Sequence, residues 1–173
     1  LAMGADRAIL IHSDDMPEPR AVVKILAKVA AEEKPDLVLC GRQASDDDAG
    51  LTGPMLAAHL GWAQAVGASD IEVTEEALTV RCEMDNGIRT LELALPAVIS
   101  VDLRLNAPRF VTLPGLMKAK RKPTVKRDVQ ELGVNLSRTG TILSLKEPPP
   151  RQPGPKYKTV AEFADALLTE MRK

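Results

Sequence analysis

The sequence predicts an α/β protein, and three observations carry that expectation. Short apolar runs at Ala8–His12 and residues 37–40 alternate with segments of helical periodicity. The second run leads directly into a polar, glycine-containing loop, and a helical pattern follows that loop. Two alternating runs then flank Asp85-Asn86-Gly87, the dipeptide Asn-Gly being a strong hairpin signal.

In chain order, Leu1-Ala2-Met3-Gly4-Ala5-Asp6 reads as the last turn of a helix with Gly4 at its cap, as expected for the later part of a longer chain. Ala8–His12 is the first strand. Pro17 and Pro19 suit a helix entry, and residues 20–33 place Val22, Ile25, Leu26 and Val29 on one face. Pro35 stops that helix. Residues 37–40 form a buried strand, parallel to the first if a right-handed crossover joins them. Residues 55–60 form a second helix that ends near Gly61-Trp62.

One or two short strands are expected at residues 64–68 and 69–73, and hairpin strands at 77–84 and 88–95. Ala97–Val101 reads as a central strand. Beyond Asp102, prolines interrupt every pattern and Lys118, Lys120, Arg121, Lys122, Lys126 and Arg127 crowd together. A last helix starts at the capping box of Thr159 and Glu162. It carries a stripe of Val160, Phe163, Ala164, Leu167, Leu168 and Met171 that needs a surface to bury against.

Composition excludes several classes. The 173 residues suffice for one core-bearing domain, and the net charge of −1 with 45% apolar residues fits neither a disordered chain nor a basic nucleic-acid binder. With one Trp, one Tyr and two Phe, the core must be aliphatic, and the basic segment lacks aromatics for stacking on bases. No apolar run approaches the roughly 20 residues of a membrane span. Cys40 and Cys82 lack metal or redox spacing and read as buried free thiols.

The segment with most chemical content is Gly41-Arg42-Gln43-Ala44-Ser45-Asp46-Asp47-Asp48-Ala49-Gly50-Leu51-Thr52. Its place at the carboxyl end of a strand, before a helix start, suits a phosphate. Three adjacent carboxylates are an odd lining for one. They do not form a Ca²⁺ loop, whose twelfth position would fall on Ala57 rather than Glu. Neither His12 nor His59 is placed beside them by sequence for acid–base work. Offsetting the helix dipole and capping its N–H groups is the structural alternative. No metalloprotease, hydrolase, Walker or dinucleotide motif is present.

Residues 36–48, with residues 1–7, residues 95–122 and Glu131-Leu132-Gly133-Val134, resemble the β subunit of electron transfer flavoprotein over nearly the whole chain. The resemblance implies a mainly parallel Rossmann-like sheet of the adenine nucleotide alpha hydrolase-like kind, with helices on both faces, a β-hairpin and an extended C-terminal arm ending in a helix. Residues 1–108 would be the nucleotide-binding core, 109–122 a recognition loop and basic helix, and 123–173 an arm wrapping the α subunit. It further implies a heterodimeric electron carrier without catalytic residues of its own. That carrier takes electrons from acyl-CoA and other flavin dehydrogenases and passes them to a quinone oxidoreductase. FAD is held mainly by the α subunit, and a structural AMP by the β subunit at the segment Gly41 to Thr52. Backbone N–H groups near Gly50 to Thr52 and the Thr52 hydroxyl are then suited to the phosphate, and the carboxylates to loop N–H groups or a ribose hydroxyl.

Departures also count. The electron-bifurcating branch, which binds a second FAD in place of AMP, typically shows Asp-Gly-Asp-Thr, whereas this chain has Asp46-Asp47-Asp48-Ala49. That branch and a non-redox adenine-nucleotide module are the alternatives. Arg109-Phe110-Val111-Thr112-Leu113-Pro114-Gly115-Leu116-Met117-Lys118 matches the recognition loop, with Leu113 as the anchor for dehydrogenases. Lys118 matches a lysine methylated in animal relatives, and Arg121 replaces another. The implied location is the cytoplasm in a bacterium and the mitochondrial matrix in a eukaryote.

Overall fold

The computed structural model describes every residue except Asp15, Asp47, Glu75, Glu76, Thr139 and Lys173. It is a mixed α/β structure whose main sheet is parallel on one side and antiparallel on the other, with helices packed against it. Strands β1 (Ala8–His12) and β2 (Leu37–Gly41) are joined by helix α1 (Pro19–Glu33). Helix α2 (Thr52–Leu60) leads to β3 (Ala63–Val73), followed by the hairpin β4 (Leu78–Met84) and β5 (Gly87–Leu93), and then by β6 (Ala97–Val101). Helix α3 (Leu113–Ala119), strand β7 (Thr124–Asp128) and a 3-10 turn (Val129–Leu132) complete the larger unit, which ends at residue 139. A second unit, residues 140–173, carries α4 (Val160–Met171).

The main sheet has the order β2-β6-β3-β4-β5, and β1 pairs with β7 in a separate two-stranded sheet. β1 and β2 therefore do not pair, although one crossover helix connects them. β2–β6 and β6–β3 are parallel, whereas β3–β4 and β4–β5 are antiparallel. β6 is the central strand expected, with Ala97, Val98, Ile99 and Ser100 all buried. The two short strands expected after α2 are one strand of 11 residues, bent by a register shift between Val66 and Asp70. Gly67 absorbs the bend at φ +72°, a conformation open mainly to glycine. The hairpin forms where Asn-Gly predicts it, but Met84 pairs with Gly87, so Asp85 and Asn86 occupy the corner.

Each face of the sheet is closed by aliphatic side chains. On one face Val38, Cys40 and Val98 meet Val23, Leu26 and Ala27 of α1 and Leu56 and Ala57 of α2. α2 lies so close that a Cβ on Gly53 would stand 3.2 Å from the Cβ of Ser100. The opposite cluster joins Ala65, Ala68, Leu78, Val80, Cys82, Ala97 and Ile99, all strand residues. The face of α1 differs from expectation. Its most buried residues are Ala21, Val23, Ile25, Ala27 and Ala30, while Val22, Leu26 and Val29 are half-buried. The helix is apolar most of the way round because it packs on α2 and also, through Ile25, on Val129 and Leu132 of the 3-10 turn.

That turn is not legible in the sequence as an element, yet it holds β7 and α1 together. Asp128 caps it by accepting from Gln130 N–H at 2.9 Å, and Glu131 accepts from Asp128 N–H at 3.2 Å. Arg127 pairs with Glu32 at the end of α1. The first residues of the segment expected as an arm from 123 thus join the larger unit. In the second unit Thr159 accepts from Glu162 N–H at 3.2 Å, as the capping box requires. The Glu162 carboxylate, however, takes Lys158 N–H rather than that of Thr159. Tyr157 packs edge-on against Phe163, with ring centroids 5.6 Å apart. Val160, Phe163, Leu167, Leu168 and Met171 are all exposed.

Candidate nucleotide site and docking loop

The loop after β2 begins where two strands end together. Arg42 N–H donates to Val101 O at 3.1 Å, extending the β2–β6 pairing by one bond. The chain then turns back on itself, and Asp48 N–H donates to Ala44 O at 3.0 Å. Asp48 sits in the left-handed region at φ +52°, where its carboxylate accepts from the Gln43 amide. Gly50, at φ +60°, completes the reversal, and a Cβ there would stand 3.4 Å from Arg42 O. One carboxylate of the triplet therefore shapes the loop. Asp47 lies outside the described residues.

α2 starts directly from this loop. Its N-cap is Leu51, and no side chain caps the helix. Its third residue, Pro54, has no N–H to lose, so the first-turn donors are those of Thr52, which is half-buried, and Gly53, which is buried. From sequence the helix is expected to start at Met55, because Gly-Pro normally breaks helices. Here both residues occupy the first turn, where a missing N–H costs nothing.

A cavity of about 320 Å³ opens beside this helix start. Gly41, Arg42, Gln43, Ala44, Asp46, Ala49, Gly50, Leu51 and Thr52 line it, together with Cys40 and Pro19. Ser45 and Asp48 instead line a second cavity of about 640 Å³, shared with Val101, Asp102 and Leu103. Two lining residues are not among those the sequence points to. Pro19 comes from the start of α1, which also has no side-chain cap, so two helix starts border one cavity. Cys40, near the end of β2, lies on the helix-packed face, and burial pushes its thiol pKa up. The available signal for both is position, each lying where a strand gives way to a helix or a helix begins.

Asp102, at the end of β6, has no sequence motif to single it out either. It is 8% exposed, and its carboxylate takes Arg104 N–H at 3.1 Å and Arg42 Nη1 at 3.2 Å. Arg104 also reaches Glu83 at 3.3 Å. The Arg104 N–H, then the Arg42 and Arg104 guanidinium groups, hold the Asp102 carboxyl below its ordinary 3.8, outweighing the opposing effect of burial. Glu32 is lowered likewise, first by its hydrogen bond from Arg127. A depressed carboxyl stabilises the fold above its unfolded pKa, and that contribution is lost as pH falls through the folded value. Melting temperature should thus hold steady from about pH 7 to about pH 5 and fall below about pH 4. A loss of stability beginning near pH 6 would contradict this assignment.

The second segment named from the sequence lies on the same unit. Thr112 caps α3, its Oγ1 accepting from Gly115 N–H at 3.1 Å. Pro114 sits in the first turn, and a Cβ on Gly115 would stand 3.0 Å from Ala2 O. Arg109 Nη1 donates to Met3 O at 3.4 Å, and Lys122 Nζ to Ala5 O at 2.6 Å. These bonds hold the base of the loop while its apolar side chains face solvent. Phe110 is 96% and Leu113 73% exposed, and Leu116 and Met117 add to the patch at helical spacing. Val111 is also exposed, and Lys118 lies in the last turn of α3.

Among the described residues no helix is long and apolar enough to cross a membrane, and no group of three or more His, Cys, Asp or Glu could hold a metal.

The family model described as Electron transfer flavoprotein domain matches residues 1–132. The chain is 48% identical over 170 residues to Electron transfer flavoprotein subunit beta of Bradyrhizobium diazoefficiens, covering 98% of this chain and 68% of that protein. It is 46% identical over 176 residues to the mitochondrial subunit beta of Oryza sativa subsp. japonica, covering 99% and 70%. Against the Homo sapiens subunit beta it is 44% identical over 173 residues, covering 96% and 67%. With this family match and these identities over nearly its whole length, the chain belongs to the electron transfer flavoprotein β-subunit family.

Proposed function

We propose that this chain is the AMP-holding, non-catalytic subunit of a heterodimeric electron carrier of the non-bifurcating kind. The observation that carries the reading is the cavity at the carboxyl end of β2, lined by nine of the residues 41–52 and bordered by an uncapped helix start. Its volume is at the low end of small-ligand sites, roughly 300–1,000 Å³, as suits a mononucleotide. Backbone N–H groups near Gly50 to Thr52, with the Thr52 hydroxyl, would hold the phosphate. Asp48 accepts from Gln43 and lines the neighbouring cavity rather than this one, so its carboxylate would not face that phosphate. Asp46 lines the cavity and would accept from a ribose hydroxyl. AMP would supply no redox chemistry there; bound, it would be held between the loop and the helix starts.

The family name supports a flavoprotein role, and the relatives' designation as subunit beta supports an α-subunit partner. FAD would be held mainly by that partner. The exposed stripe of α4 gives the arm an apolar face for clasping it, and the Phe110–Leu113–Leu116–Met117 patch gives acyl-CoA and other flavin dehydrogenases a docking knob. A quinone oxidoreductase would receive the electrons. Relatives include bacterial and mitochondrial proteins, so the compartment would be the bacterial cytoplasm or the mitochondrial matrix.

Mass spectrometry of the small molecules released on denaturing the copurified complex tests the reading. Equimolar AMP with one FAD is the expected result. Two FAD without AMP would move the chain to the bifurcating branch. A chain that copurifies with no second subunit would be a non-redox nucleotide module.

A further inference from the structure

We propose that Asp102 is the positioning residue of the nucleotide loop and acts through Arg42. The inference rests on the nucleotide reading of the 41–52 loop, to which it adds the part that fixes the loop's shape. Arg42 is the first residue beyond β2, and everything that lines the cavity on the loop side follows from the direction the chain takes there. β6 grips that residue twice. Its backbone takes the Arg42 N–H at Val101 O, 3.1 Å away, and its next side chain takes the Arg42 guanidinium at 3.2 Å.

The geometry makes the second grip specific. Asp102 is 8% exposed, and Oδ1 accepts Arg104 N–H while Oδ2 accepts Arg42 Nη1. The Arg42 guanidinium also lies against Gly67, since a Cβ there would stand 3.7 Å from Nη1 and 3.8 Å from Cζ. Gly67 is itself held by its N–H donating to the buried Ser100 Oγ at 3.3 Å. The bulge in β3 thus leaves a flat backbone surface under the guanidinium, and the buried carboxylate at the end of β6 fixes it there. A charge-assisted bond to a nearly buried carboxylate is among the stronger polar contacts; without it Asp102 keeps only Arg104, and the partly exposed Arg42 guanidinium turns to solvent. Arg42 O, on the same residue, is the atom nearest to a Cβ on Gly50, so displacing Arg42 disturbs the loop's reversal directly.

The test uses the purified complex in four forms: wild type, Asp102→Asn, Arg42→Met and the double variant. Asp102→Asn keeps an acceptor for Arg104 N–H but loses the charge that holds Arg42. Arg42→Met removes the same contact from a partly exposed side chain, with less risk to folding. Amide hydrogen exchange of residues 41–50 is read on nucleotide-stripped protein, and AMP dissociation constants are read by titration. Each single variant should speed loop exchange by about ten-fold with α1 unchanged, and the double should be no faster than either single. The AMP dissociation constant should rise by about ten-fold in both single variants.

Loop exchange unchanged in Asp102→Asn, or effects that add in the double variant, would overturn the proposal even if the wild type binds AMP. Accelerated and non-additive exchange in a protein that binds no AMP would uphold the positioning role and remove the nucleotide reading instead.

Discussion

Replacing Gly50 with valine should empty the nucleotide site while leaving the complex folded. Gly50 has φ +60°, where a β-branched residue is strained, and its Cβ would stand 3.4 Å from Arg42 O. Left-handed backbone costs an ordinary residue about 1–2 kcal/mol, and a β-branched one lies at the upper end. The loop can relieve that strain only by opening the turn that Asp48 and Gly50 make together. Opening it moves Leu51 and Thr52, and with them the free N–H groups of α2. Affinity should fall by roughly ten-fold or more, at about 1.4 kcal/mol per decade. Gly133→Val is the matched control. Gly133 also has φ +60°, a Cβ there would meet no atom within 4 Å, and the residue lies outside the cavity lining. The control should lower melting temperature by a similar few degrees and keep its nucleotide. Released AMP is quantified per complex in both variants. Full occupancy in Gly50→Val would remove this loop from the site.

What the sequence reveals, and what it conceals, follows from which interactions specify each element. β6 and the hairpin are legible because their own side chains encode burial and alternation, whereas β2, expected as a buried strand, lies at the sheet edge with Leu39 54% exposed. β7 is not. Its residues, Thr124-Val125-Lys126-Arg127-Asp128, are mostly charged or polar, and it becomes a strand through parallel pairing with β1. The start of α2 is hidden because Gly53 and Pro54 read as breakers, although Gly53 is needed for close approach to Ser100. Within the loop, residue types point to a ligand site but cannot divide the acidic residues into roles. Asp46 lines the cavity, whereas Asp48 is spent on Gln43, a distinction made by backbone direction alone. Asp102 has no local signal at all. Its importance arises from β2 and β6 ending side by side, a pairing between residues 60 positions apart.

Shortening Leu113 to alanine should cripple electron transfer from a dehydrogenase without touching the carrier itself. Leu113 is 73% exposed, so its truncation removes almost no buried area from this chain, and stability should change by less than about 0.5 kcal/mol. The backbone that presents it is nevertheless held in place. Thr112 caps α3 beneath it, Pro114 fixes its own φ and restricts Leu113 before it, and Arg109 and Lys122 anchor the base of the loop on residues 3 and 5. A rigid apolar knob amid Phe110, Leu116 and Met117 is the arrangement expected of a binding hot spot, where truncation costs about 2 kcal/mol or more. In steady-state assays with an acyl-CoA dehydrogenase, the KM for the carrier should therefore rise roughly thirty-fold. Flavin and AMP content and assembly with the α subunit should match the wild type. Were the variant to lose flavin, Leu113 would be a contact inside the heterodimer and the docking assignment would fall. Were KM unchanged, the dehydrogenase would dock elsewhere, and the exposed face of α3 would need another partner.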